Sequence, residues 1–205
     1  MEIKRNTEII LIRHGQTDWN LQKRWQGDTD TPLNATGKAQ ARALAARLVS
    51  WPIENLYSSD LQRAADTAAT LGDSLGLEPI LDAGWRERDL GELEGLTKEE
   101  IGEKFPHLTL PRQFVETRDG EPYIVFKKRM VDVYSRIMAK HTGQTTAVVS
   151  HSAALRVLIS HILELPDRIY APFSLGGNTG VSRVVIDREG RAQLTLLNDT
   201  SHIGG

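Results

Sequence analysis

Cysteine is absent from this 205-residue chain. That excludes disulfides and thiolate metal sites. No apolar stretch is long enough to span a bilayer. Residues 1–7 are polar and carry no apolar signal core. The simplest location is therefore the cytoplasm, with no membrane partner. An excess of one charge sign is also missing: 25 Lys and Arg stand against 27 Asp and Glu, a net charge of −2. No global basic footprint for nucleic acid exists. Any anion the chain binds must be held by local charge, so its arginines have to cluster in space. There is no internal repeat, low-complexity segment or linker. No His-Glu-x-x-His pair occurs, and no dense Asp/His cluster of the metal-phosphatase kind stands outside the acidic block at residues 85–95.

What is present alternates. The apolar run Glu8-Ile9-Ile10-Leu11-Ile12 reads as a buried strand. Further strands are expected at 55–58, 80–81, 145–150, 181–187 and 193–197, the last two joined as a hairpin by Arg188-Glu189-Gly190-Arg191. Helical spacing marks 39–49, 61–75, 123–141 and 152–163. Thr36 and Asp60 are the expected N-caps of the first two helices, and Gly76 stops the second. Thr97 with Glu100 forms a capping box for a short helix ending near Phe105. The expected fold class is α/β: a three-layer sandwich, with a mostly parallel central sheet and helices on both faces. Residues 1–205 suit a single domain. Residues 106–122 hold three prolines and one glycine without periodicity. They read as a surface excursion, a lid or cap, rather than core. Residues 200–205 have almost nothing to pack.

Two strands end on a histidine. The first delivers Arg13-His14-Gly15 to the carboxyl edge of the sheet, where open α/β sheets bind ligands. Alone, that tripeptide reads more readily as a solvated turn. The second, Val148-Val149-Ser150-His151-Ser152-Ala153, repeats the arrangement and opens a helix whose free N–H groups can face an anion. Arg63, in the first turn of the helix after Ser58-Ser59, would point back to the same edge.

The string Leu11-Ile12-Arg13-His14-Gly15-Gln16-Thr17-Asp18-Trp19-Asn20 resembles the signature of the histidine phosphatase superfamily, the phosphoglycerate-mutase-like proteins. Ser58-Ser59-Asp60-Leu61-Gln62-Arg63-Ala64-Ala65-Asp66-Thr67-Ala68 is similar to that family's Ser-Ser-x-x-x-Arg-Ala-x-x-Thr-Ala helix. Trp85-Arg86-Glu87-Arg88-Asp89-Leu90-Gly91-Glu92-Leu93-Glu94-Gly95 resembles its segment carrying the proton donor. Four separated motifs appear in order, from Ile9 to about Arg183. The family has glycine where this chain has Ser152, which adds a side chain beside the phosphate.

The resemblance implies a phosphomonoesterase acting on small phosphorylated metabolites through a phosphohistidine on His14. Glu87 is the implied proton donor. Arg13, Arg63 and a protonated His151 would neutralise the phosphoryl oxygens. Asn20, Gln26, Gly27 and Ser152 would support the phosphate. His14 must be neutral at its attacking nitrogen, with the other nitrogen donating, for example to a backbone carbonyl after Gly15. No metal and no cofactor is required, because the arginines take the metal's place. Homodimers are common among relatives, but no seam is legible. Two alternatives stand beside the hydrolase: a cofactor-dependent phosphoglycerate mutase, and a non-catalytic phosphate-binding relative. Against the mutase, Asp89 and Leu90 depart from its Arg-His-Tyr-Gly continuation, and Arg112 has no arginine neighbour. Arg112, Arg118 and Tyr123 are the expected substrate contacts of the lid. Trp19, Trp25 and Trp85 would give the pocket a flat wall.

The other features read as ordinary surface. His107, His141, His161 and His202 are expected to be structural or solvated. Lys127-Lys128-Arg129 reads as a solvated helix face. Residues 175–180 look like a nucleotide loop but lack the P-loop lysine and precede a strand. They read as a turn, with Asn178 or Thr179 at the pocket rim.

Overall fold

The computed structural model describes residues 5–108, 115–166 and 172–204. Its centre is a six-stranded sheet in the order β3-β2-β4-β1-β5-β6. The strands are β1 (Thr7–Arg13), β2 (Asn55–Ser58), β3 (Ile80–Leu81), β4 (Thr145–Ser150), β5 (Val181–Ile186) and β6 (Ala192–Asp199). β1, β4, β2 and β3 pair in parallel, while β5 and β6 are antiparallel. The helices are α1 (Asp18–Leu21), α2 (Ala35–Leu48), α3 (Gln62–Leu75), α4 (Lys98–Lys104), α5 (Tyr123–Lys140) and α6 (Ser152–Ile162). This is the α/β sandwich with a mostly parallel sheet that the alternating pattern predicts.

The two-residue period of a strand divides the core into halves. Ile9 and Leu11 of β1, with Val148 of β4, pack beneath Phe126, Met130, Val133 and Ile137 of α5 and Leu155 and Leu158 of α6. Ile10 and Ile12, with Ala147 and Val149, face Leu44 and Leu48 of α2 and Ala64, Ala68 and Leu71 of α3. Burying both faces explains why β1 and β4 read as continuous apolar runs. Among the described residues, no helix is long and apolar enough to cross a membrane.

Several local expectations change. α2 is capped by Asn34, whose side chain accepts from Gly37 N, and not by Thr36. Asp60 does not cap α3. Both its oxygens are held at 2.7 Å by the Arg86 guanidinium, a fork that outcompetes a neutral N–H. The Gln62 N–H instead donates to Asp30 Oδ1 at 2.7 Å, across 32 residues of chain. The excursion after Phe105 is not all surface. Val115 is buried in a third cluster with Trp25, Leu90, Leu93 and Ile101. Arg112 lies outside the described residues. The segment after β6 is held, because His202 bonds both Arg47 and Thr179. His141 is buried too, 2.8 Å from the Tyr57 hydroxyl and 2.8 Å from Gln144 Oε1.

Candidate active site

β1 and β4 lie side by side with Arg13 opposite Ser150. The ladder runs one residue further, with His14 N donating to Ser150 O at 3.0 Å. On the other side of β4, Ser59 N donates to Val149 O at 3.0 Å. Three chain segments therefore leave the sheet at one edge. The chain then departs in opposite directions: α2 packs on one face and α6 on the other. The crevice opened by that divergence is where this architecture binds ligands.

His14 is 3% exposed, and its ring centre lies 5.2 Å from that of His151. Its Nδ1 is 2.7 Å from Gly15 O and donates to it. The lone pair is thereby left on Nε2. The expected carbonyl partner is that of Gly15 itself. Gly15 N is in turn held by Thr67 Oγ1 at 3.0 Å. A Cβ on Gly15 would stand 2.7 Å from Gly37 O, so only glycine fits between β1 and α2. Burial, then the charges of Arg63 and Arg13, push the His14 pKa well below its ordinary value. That direction favours the neutral ring.

Arg63 is fully buried on the first turn of α3. Its Nε donates to His151 Nδ1 at 3.2 Å, Nη1 to Thr29 O at 2.7 Å and Nη2 to Gly27 O at 2.8 Å. Burial draws its pKa down to about 10, opposed by Glu87 and three further carboxylates, so it stays charged at neutral pH. Since Arg63 donates to Nδ1, the His151 proton sits on Nε2, 2.9 Å from Ser59 Oγ. Burial, then Arg63, His14 and Arg13, lower the His151 pKa well below its ordinary value, against the protonated form expected beside a bound phosphate. A phosphate dianion would have to overcome those arginines to protonate it.

Arg13 reaches across the edge, its Nη1 donating to the carbonyls of Gly176 and Leu175. The carboxylate of Glu87 accepts from the N–H groups of Ala153 at 2.9 Å and Ala154 at 3.2 Å. The start of α6 thus meets the carboxyl group of Glu87, reaching in from the neighbouring loop, whose oxygens take the N–H groups a phosphate could otherwise use. Ser152 turns its hydroxyl aside to Leu175 O at 3.2 Å. Asn20 closes the capping box of α1 and accepts from Asn178 Nδ2 at 3.1 Å. Gln26 Oε1 accepts from Thr17 at 3.1 Å and Thr31 at 2.7 Å. These residues border one cleft of about 360 Å³, together with Lys23, Arg24, Trp25, Arg88, Tyr123 and Arg156.

Sequence reasoning missed several residues here. Arg88 is 4% exposed and donates to Glu121 O at 2.7 Å. Arg156, one turn into α6, lines the cleft. Arg129 is not a solvated helix residue. It grips Glu121 and donates to the carbonyls of Gly84, Arg86 and Glu87, fixing the loop that carries Glu87. Its place three residues after the core residue Phe126, on the buried side of α5, was the available signal. Among the four acidic residues of the 85–95 block, Glu94 is a brace: it accepts from the N–H groups of Asp28, Thr29 and Leu90. The tryptophans divide. Trp25 lines the cleft, Trp85 is core, and Trp19 packs beneath Gly95. Of the lid contacts, Tyr123 reaches the cleft and Arg118 is exposed. Among the described residues, no three His, Asp or Glu side chains converge as a metal site.

A family model described as histidine phosphatase superfamily (branch 1) matches residues 9–200. A protein of Enterobacter sp. (strain 638) named "Probable phosphoglycerate mutase GpmB" is 37% identical over 166 residues, covering 78% of this chain and 76% of that protein. Phosphoserine phosphatase 1 of Hydrogenobacter thermophilus is 32% identical over 203 residues, covering 96% of this chain and 94% of its own. A mycobacterial glucosyl-3-phosphoglycerate phosphatase, solved with VO3, superposes with a TM-score of 0.83 at 28% identity, over 93% of this chain and 98% of that one.

Proposed function

The chain belongs to branch 1 of the histidine phosphatase superfamily, and we propose that it is a metal-independent phosphomonoesterase of small phosphorylated metabolites. One observation carries the reading: a neutral, tautomer-fixed His14 shares a single cleft with Arg13, Arg63, His151 and Glu87. His14 Nε2 forms a bond to phosphorus as the ester oxygen leaves. Glu87 gives that oxygen its proton. The guanidinium groups of Arg13 and Arg63 take up the charge spread over the equatorial oxygens, as positioned charge does for phosphoryl transfer generally. In the second step water attacks phosphorus, returns a proton to Glu87, and the N–P bond breaks to free His14 and phosphate. His151 enters as a neutral donor. Asn20, Gln26 and Gly27 shape the phosphate end, and the N–H and hydroxyl of Ser152 lie at its edge.

A cleft of about 360 Å³ suits a metabolite rather than a phosphoprotein surface. Lys23 and Arg156 add positive charge to its wall, beside Arg24 and Arg88, which are paired with Glu100 and Glu116, and this favours esters bearing a second anionic group. The mutase reading has its support in the GpmB likeness. The hydrolase is preferred because a relative covering nearly the whole chain is named a phosphatase and because Asp89 and Leu90, though not Arg88, depart from the mutase continuation. The test is phosphate release from a panel of monoesters in EDTA, run beside a phosphoglycerate mutase assay primed with bisphosphorylated glycerate. Chelator-resistant release supports the proposal. Mutase turnover with little release overturns it.

A further inference from the structure

The segment after β6 reaches the nucleophile through one residue of unusual conformation. Thr179 has a φ of +54° and is fully buried. A β-branched side chain is unfavourable in the left-handed region, and such residues persist only where their surroundings hold them. The hydroxyl explains the choice of threonine over glycine. Thr179 Oγ1 donates to Asn178 O at 2.7 Å and stands 2.9 Å from His202 Nε2. The His202 Nδ1 faces the Arg47 guanidinium at 3.2 Å, and Arg47 in turn pairs with Asp199 at 2.5 Å. Arginine can only donate, so Nδ1 accepts and the His202 proton sits on Nε2, directed at Thr179. Burial, then the Arg47 charge, lower the His202 pKa against the pull of Asp199, which keeps that tautomer neutral.

On its other side the same segment holds His14. Thr179 N donates to His14 O at 3.2 Å, and Asn178 Nδ2 donates to the same oxygen at 3.1 Å. Two donors from one turn therefore fix the peptide whose next carbonyl, that of Gly15, sets the His14 tautomer.

We propose that His202 is a positioning residue for His14, acting through the strained Thr179 to hold the nucleophile's backbone in its attacking geometry. The inference rests on His14 being the nucleophile, as in the proposed function. It predicts that residues far apart in sequence, 14 and 202, are coupled without touching.

The experiment uses the full chain with His202→Ala, His202→Gln and Thr179→Gly. Glutamine retains an N–H donor near the position of Nε2. Glycine removes both the hydroxyl and the backbone strain. Hydrogen exchange of the peptide containing Thr179 is followed by mass spectrometry, and kcat and KM are measured on the best ester of the panel. The expected result is faster exchange at Thr179 in His202→Ala and Thr179→Gly. With it, kcat falls roughly tenfold while KM moves less than twofold, the mark of a mispositioned reacting group. His202→Gln restores both, and Thr179→Gly melts no lower than His202→Ala. Unchanged exchange in His202→Ala overturns the proposal. So does a kcat loss that only tracks melting temperature across the three variants. If the wild-type chain releases no phosphate, the hydrolase reading fails, and the exchange arm still decides the coupling.

Discussion

At the residue scale, each of the five principal groups stands in a place set by a neighbour. His14 owes its free Nε2 to Gly15 O, and His151 owes its Nε2 proton to Arg63. Two outcomes follow. The acid limb of kcat/KM should fall well below pH 6.5, because burial and two arginines keep His14 unprotonated under its ordinary value. A limb at or above pH 6.5 in a pH–rate profile would contradict the buried neutral ring. Glu87→Gln should slow hydrolysis of an alkyl phosphate by about 10²- to 10⁴-fold, the usual size of acid catalysis. It should cost p-nitrophenyl phosphate much less, since that leaving group needs no proton. Equal losses on both esters would remove Glu87 from the acid role. The sequence shows these residues clearly because the motifs are local. It does not show that Glu87 meets Ala153 and Ala154, which lie 66 and 67 positions away and are brought near only by folding.

At the scale of elements, strands and helices are legible where a short-range pattern decides them. The apolar runs of β1 and β4, the capping box of α4 and the glycine stop of α3 all follow from neighbours in sequence. The ends set by distant partners do not. Asp30 caps α3 and Arg86 takes Asp60 because the loop after α1 folds back over the sheet edge. That loop is also where glycine is obligatory. Gly27 has a φ of +53°, and a Cβ there would come within 1.9 Å of Glu94 Oε1. Gly27→Ala should therefore displace Glu94, loosen the carbonyl that receives Arg63 Nη2, and destabilise the fold by about 1–3 kcal/mol. Urea denaturation checks the stability. A parallel fall in kcat checks the contact with Arg63, and an unchanged kcat would separate the loop from the site.

At the scale of the whole molecule, the buried histidines make stability depend on pH. An unfolded chain protonates His14 and His151 near pH 6.5, whereas the folded chain holds both well below that value. Just under pH 6.5 the unfolded state binds more protons, so stability falls as the pH drops. Each histidine contributes up to about 1.4 kcal/mol per pH unit in that window. Chemical denaturation at several values between pH 7 and 5 should show the slope, and the double substitution His14→Gln, His151→Gln should reduce it, leaving the smaller part due to His202. A wild-type slope near zero would mean that the rings are not held neutral.

The cleft also opposes the molecule around it. Arg13, Lys23, Arg24, Arg63, Arg88 and Arg156 line it, with Glu87 as the carboxylate among its described lining residues, in a chain whose net charge is −2. A concave, mainly cationic patch focuses the field into its mouth and raises the local concentration of anions there, although Arg24 and Arg88 share their charge with Glu100 and Glu116. On the proposed function, dianionic esters should reach this mouth faster than unaided diffusion would bring them, with counterions competing for it. Raising ionic strength from about 10 to 150 mM shortens the screening length from roughly 30 to 8 Å. Capture, read as kcat/KM, should drop over that range while kcat holds, so the cell's own salt would set how hungry this cleft is.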